Sequence, residues 1–169
     1  MRRVISFLLC VATLISFVHG TSRTVSAATP DGSVPYNGMV KVSESTLQVS
    51  DDLFLVVTTY EEVVSTRATR YTKAGGKTYT FTNSNGEYLC TFTIEATYMI
   101  TSGISSTCTA VSHSYEIYNS SWNYVSGSSY KSGNCAYGSA EFNRRLLGIV
   151  VETRSCDVSL ACDVNGNFS

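Results

Sequence analysis

From Glu87 to Ile100 the chain alternates apolar and polar side chains for fourteen residues. The even positions are Tyr88, Cys90, Phe92, Ile94, Ala96, Tyr98 and Ile100; the odd ones are Glu87, Leu89, Thr91, Thr93, Glu95, Thr97 and Met99. A helix would scatter both sets around its circumference. Period two instead describes a strand with one face in a core and the other in water. A strand of this length is expected to bend or to carry a bulge.

Its neighbours can be placed by register. Lys77-Thr78-Tyr79-Thr80-Phe81-Thr82 leads into Asn83-Ser84-Asn85-Gly86, and Asn-Gly is the strongest two-residue hairpin signal. With that pair at the turn centre, Phe81 faces Cys90 and Tyr79 faces Phe92, so both apolar sets share a face. At the other end, a three-residue loop with Gly103 in the left-handed position pairs Ile100 with Ile104, Ala96 with Cys108 and Ile94 with Ala110. Residues 53–66 read as extended, with a short helix through Tyr60-Glu61-Glu62-Val63 as the alternative, and Ala74-Gly75-Gly76 as a break. His113–Tyr118 continues a strand, Asn119-Ser120-Ser121 turns, and Trp122–Val125 starts another. Gly127 and Ser132-Gly133-Asn134 punctuate the next run. A last hairpin runs through 135–142 and 148–162, with Cys156, Val158, Leu160 and Cys162 sharing one parity. Near Glu152 and Arg154 that parity would bury charge, so a bulge or change of facing is expected there. The sum is an all-β fold, an antiparallel sandwich or small barrel of about seven strands, over residues 51–169.

The start of the chain indicates the compartment. Arg2 and Arg3 precede a mostly apolar run from Val4 to Val18, and Val25-Ser26-Ala27 supplies small residues for signal peptidase. Residues 1–27 therefore read as a signal peptide, with cleavage after Ala27 or, as second choice, after Gly20, and the protein as secreted. The run is too short and too broken by Ser and Thr for a membrane anchor, and nothing later would span a bilayer. Residues 28–50, polar and carrying Pro30, Gly32, Pro35 and Gly38, read as a flexible linker. Cleavage removes three of twelve basic residues and none of thirteen acidic ones, leaving a net charge of −4. An acidic chain without a Lys/Arg cluster argues against nucleic acid or an anionic membrane surface as partner.

Several short segments resemble an uncharacterised family of small secreted proteins of Gram-positive bacteria. They are Thr66-Arg67-Ala68, Lys77-Thr78-Tyr79-Thr80-Phe81 with its Asn85-Gly86 turn, Ser106-Thr107-Cys108-Thr109, Ser121-Trp122, Lys131-Ser132-Gly133-Asn134 and Val158-Ser159-Leu160-Ala161-Cys162 with Asn165-Gly166 and Ser169. The resemblance implies a secreted β-domain and no particular chemistry. Five cysteines follow the cleavage site, an odd number for an oxidising compartment. Cys108 and Cys162 match the family pattern and both point inward by alternation, which makes them the first-choice disulfide, contributing about 3–4 kcal/mol. Cys135 and Cys156 are the second choice if the last hairpin turns at Arg145-Leu146. Cys90 and Cys135 are departures from the family pattern, and Cys90 is left as a buried free thiol.

No reaction centre is legible. His113 is the only histidine after the leader and sits in Val111-Ser112-His113-Ser114-Tyr115 without a nucleophile elbow. Glu87 and Glu95 would stand roughly 26 Å apart on the strand, too far for a glycosidase pair. The cysteine spacing does not suit zinc. Asp163-Val164-Asn165-Gly166-Asn167 has its glycine in the wrong place for a calcium loop and reads as a terminal turn. The expectation is no catalysis, no cofactor and no metal. Tyr118, Trp122, Tyr124 and Tyr130, amid Ser and Asn, are the candidate binding residues, able to stack on sugar rings or peptide side chains. The competing role for Trp122 is a core residue with the tyrosines along its edge. The function classes that remain are a non-catalytic module binding a cell-wall or host glycan or a surface protein, a structural or protein-interaction domain of the envelope, and a small hydrolase.

Overall fold

The computed structural model describes residues 38–65 and 68–169. The expected leader and residues 28–37 of the expected linker lie outside the described residues, as does Thr66-Arg67. The described chain is all-β, with eight strands: β1 (Met39–Ser50), β2 (Leu53–Glu62), β3 (Arg70–Asn83), β4 (Tyr88–Thr101), β5 (Ser105–Ile117), β6 (Trp122–Ser132), β7 (Cys135–Leu146) and β8 (Ile149–Ala161). They form two antiparallel meanders, β1 to β5 in one sheet and β6 to β8 in the other, stacked as a sandwich.

The alternating stretch is β4. Cys90, Phe92, Ile94, Tyr98 and Ile100 are fully buried between the sheets and Ala96 nearly so. Burying one such large side chain contributes roughly 1.5–3 kcal/mol. Tyr88 is the exception. The β3–β4 register slips between Phe81 and Thr82, making Leu89 an extra residue; Leu89 is buried and Tyr88 exposed. The odd face is drier than alternation implies. Thr91 and Thr93 are buried, and their hydroxyls bond those of Thr80 (3.1 Å) and Thr78 (3.0 Å) across the β3–β4 pair.

The Asn85-Gly86 hairpin forms in the expected register, Phe81 opposite Cys90 and Tyr79 opposite Phe92. The next turn differs. Gly103 is left-handed (φ 71°) in a three-residue loop, but Thr101 pairs with Ser105, so Tyr98 faces Cys108. Thr109 is then a bulge, after which Ala96 faces Val111 and Ile94 faces His113. The bulge preserves an inward face on β5 that simple alternation would have lost.

Three boundaries also change. Residues 39–50, expected as linker, are the edge strand β1. Among the described residues no second layer covers it, so all but Met39 are exposed and the strand looks as polar as a linker. Residues 60–62 close β2 as strand, and β3 runs through Ala74-Gly75-Gly76. Gly75 is required there by the Phe168 ring, whose Cζ lies 2.6 Å from where a Cβ would stand. Gly138 has the same role between the sheets, with Ile94 Cγ2 at 2.4 Å.

Tyr98 bolts the layers together. Its hydroxyl donates to the Leu160 carbonyl (2.5 Å), which joins β4 to β8. The last hairpin turns at Leu147-Gly148, with φ 51° and 82°. Cys135 thus pairs with Ala161, and Cys156 with Ala140. Five residues of strand, about 17 Å, separate Cys135 from Cys156, so the second-choice disulfide is ruled out. The bulge expected near Glu152 is present: Arg144 pairs with Glu152 and Arg145 with Val150, leaving Val151 over.

Candidate functional site

The four aromatic residues singled out from the sequence do not converge. Trp122 is 3% exposed and stacked on Phe81 (centroids 6.4 Å), a core residue rather than a ligand platform. Tyr124 is half-buried at the sandwich edge, stacked on Tyr115 at 3.8 Å and edge-on to Phe142. Tyr118 is exposed, packs edge-on against Tyr88 (5.6 Å) and donates its hydroxyl to Glu116. Burial and the Glu116 carboxylate push the Tyr118 phenol up to about 12. Tyr130 is exposed and stacks on Tyr137 at 4.9 Å and 14°.

Tyr130 belongs to the most developed polar surface, the outer face of β6, β7 and β8. Inward residues Ala136, Gly138, Ala140 and Phe142 fix the facing of β7, so its odd residues point out. Register then assembles three rungs across the sheet: Tyr130, Tyr137 and Ser159; Ser128, Ser139 and Asp157; Ser126, Glu141 and Ser155. The Ser128 and Ser139 hydroxyls bond each other at 3.0 Å. The lower two rungs line a shallow groove of about 440 Å³. The outer ring face of this stacked aromatic pair, beside hydroxyls and two carboxylates, can pack on a pyranose while the polar groups hydrogen-bond its hydroxyls. Tyr137, Ser139, Glu141 and Asp157 were missed in the sequence because their proximity depends on pairing register. The outward parity of Ser155, Asp157 and Ser159 was the only signal.

His113 Nδ1 lies 2.9 Å from Ser129 Oγ, at the open edge between β5 and β6. Among the described residues no carboxylate hydrogen-bonds His113, and its ring packs on Phe92 (5.6 Å). The pair lacks the orienting third group of a nucleophilic triad.

The five described cysteines are free thiols. Cys90 and Cys156 are each pushed up to about 12, first by burial. Cys108 and Cys162 both sit at the Tyr98 end of the core, where the Cys108 amide donates to Gly133 and the Cys162 amide to Asn134. Burial raises both thiols, opposed at Cys162 by the Ser106 hydroxyl and Lys73. They are not joined.

At the chain's end, Asp163 Oδ1 accepts from the Asn165 and Asn167 amides (2.8 Å each) and Oδ2 from the Asn167 side chain (2.9 Å). These bonds hold the carboxyl below its ordinary value. Both oxygens are used by the turn itself, as the terminal-turn reading requires. Among the described residues no group of three or more His, Cys, Asp or Glu is placed to hold a metal ion, and no helix is long and apolar enough to cross a membrane. No protein-family model, no curated protein and no solved structure matches the chain.

Proposed function

We propose that this protein is a secreted or cell-surface binding module without catalytic activity, and that it holds a glycan on the outer face of β6–β8. The observation that carries the reading is the stacked Tyr130–Tyr137 pair, one rung from Ser128, Ser139 and Asp157 on an open groove. The apolar leader at 1–27 and the resemblance to secreted proteins of Gram-positive bacteria support export. They also favour a cell-wall or host polysaccharide as ligand. The oxidising destination favours a Cys108–Cys162 disulfide in the exported protein.

The test is a glycan array followed by titration calorimetry with the purified protein. Saturable binding that falls at least ten-fold in Tyr130→Ala and Tyr137→Ala, and less in Tyr118→Ala, supports the site. Binding indifferent to both substitutions, or no binding to any envelope or host polymer, refutes it. Glu141 and Asp157 occupy diagonal positions on adjacent strands, roughly 7–8 Å apart at Cα. Release of reducing ends that disappears in Glu141→Gln would replace binding by hydrolysis.

One observation favours the second reading, a structural or protein-interaction domain. β1 is a twelve-residue edge strand with Val40, Val42, Leu47 and Val49 exposed, able to accept an added strand. Sedimentation equilibrium and crosslinking distinguish this case: one dominant complex lost on Val42→Lys supports it, and a clean monomer opposes it.

A further inference from the structure

The β7–β8 hairpin leaves the sandwich. β6 accompanies β7 as far as Arg144, opposite the core residue Trp122, and the Arg145 amide donates to Ser121, so only the tip from Leu146 to Val151 stands free of the three-stranded sheet. From Arg145 to the turn is two to three residues, about 7–10 Å of strand. The tip is aliphatic: Leu146, Leu147, Ile149, Val150 and Val151 are 60%, 96%, 69%, 46% and 53% exposed. Patches of this kind on a soluble domain mark an interaction site.

Leu147 is the telling residue. Leu146 pairs with Ile149, so Leu147 and Gly148 form a two-residue turn with both φ values positive. Asn or Gly suits such a position, and leucine there is strained. It gains no burial in return. Folding alone does not explain an aliphatic side chain held at that place and fully exposed.

Charge names the occupant. Between 144 and 154 the hairpin carries Arg144, Arg145 and Arg154 against Glu152 alone, a local net charge of +2 on an otherwise acidic chain. Glu152 is engaged with Arg154 at 2.7 Å and with Arg144 at 3.8 Å. Arg144 and Arg145 are exposed at the base of the aliphatic tip. A convex tip with a basic collar suits a medium into which it can sink to the depth of about 5–10 Å typical of interfacial elements. Register places Asp51, Asp52 and Glu87 at the same end of the sandwich, where they oppose an anionic surface, so the attraction rests on the hairpin's own arginines. We infer that the β7–β8 hairpin is a membrane-docking finger: Leu146, Leu147 and Ile149 enter the acyl boundary of a bilayer, and Arg144 and Arg145 meet its anionic headgroups.

Vesicle flotation of the full chain tests this, with phosphatidylcholine vesicles and with vesicles that also contain phosphatidylglycerol. Binding should be stronger to the anionic vesicles and weaken with salt. Leu147→Asn suits the turn and keeps the fold, yet combined with Ile149→Ser should lower partitioning to both vesicles about ten-fold or more. Arg144→Gln with Arg145→Gln should remove only the phosphatidylglycerol increment and the salt dependence. Failure to float with either vesicle at millimolar lipid overturns the inference, as does partitioning unchanged by the Leu147/Ile149 variant. A dimer in sedimentation equilibrium that this same variant dissolves would assign the finger to a second copy of the chain and equally overturn it.

Discussion

Replacing Gly138 by alanine would put a Cβ 2.4 Å from Ile94 Cγ2 and 3.0 Å from Phe92 Cε1. Both neighbours are fully buried on β4, so neither side chain has solvent to move into. Relief must come from off-rotamer side chains or from wider separation of the sheets, which costs about 1–3 kcal/mol. Alanine recovers roughly 0.5–1 kcal/mol because it restricts the unfolded chain more than glycine does. The net loss is about 1–2 kcal/mol, and a domain of this size should melt roughly 3–8 °C lower. Urea unfolding followed by the single tryptophan, Trp122, reads this directly, because that residue is buried in the same core. In an Ile94→Ala background the closest collision is gone, and the additional cost of Gly138→Ala should fall to less than half. Equal stability of Gly138→Ala and the parent would refute the argument. So would an undiminished cost in the Ile94→Ala background, because the sheets would then not be held at the separation that requires a glycine.

Four further outcomes are expected. Tyr98→Phe leaves the Leu160 carbonyl buried without this partner and should cost about 1–3 kcal/mol in chemical denaturation. The Asp163 carboxyl is depressed in the folded chain. Its contribution is therefore present above the ordinary carboxylate value and is lost as pH falls through the lower, folded one; protection of the Asn165 and Asn167 amides, measured against their intrinsic exchange rates, should fall at acid pH, and Asp163→Ala should remove that pH dependence. Thiol titration of the folded, reduced protein at about pH 8 should label the half-buried Cys135 first and leave Cys90 and Cys156 unreacted until the protein unfolds. Leu147→Asn relieves the strained turn and should raise stability by about 1 kcal/mol, visible as a higher melting temperature.

Local patterning made the sheet content legible. Alternation in Cys90–Ile100 identified the inward face of β4, Asn85-Gly86 set the register that places Phe81 against Cys90, and the charges at Glu152 and Arg154 announced a bulge near Val151. These signals were readable because side-chain facing and turn chemistry are local properties. β1 was not legible, because a strand solvated on both faces has the composition of a linker. The pairing of Cys135 with Cys156 failed for a related reason: a leucine occupies the left-handed turn position where Asn or Gly was the expected marker, and the turn centre was misplaced. Of the four candidate binding residues, Trp122 was drawn into the core by its stack on Phe81, and only Tyr130 reached the polar face.

That this chain forms antiparallel strands with Phe92, Ile94 and Tyr98 turned inward was written into its residue order, because period two and Asn-Gly turns act over a few residues. Which outward residues meet was left to the packed fold, which brings Tyr137, Glu141 and Asp157 onto one face and sends Leu147 out on a finger. Neighbourhood across strands depends on the accumulated register of every turn and bulge between them, and a single extra residue moves every side chain beyond it.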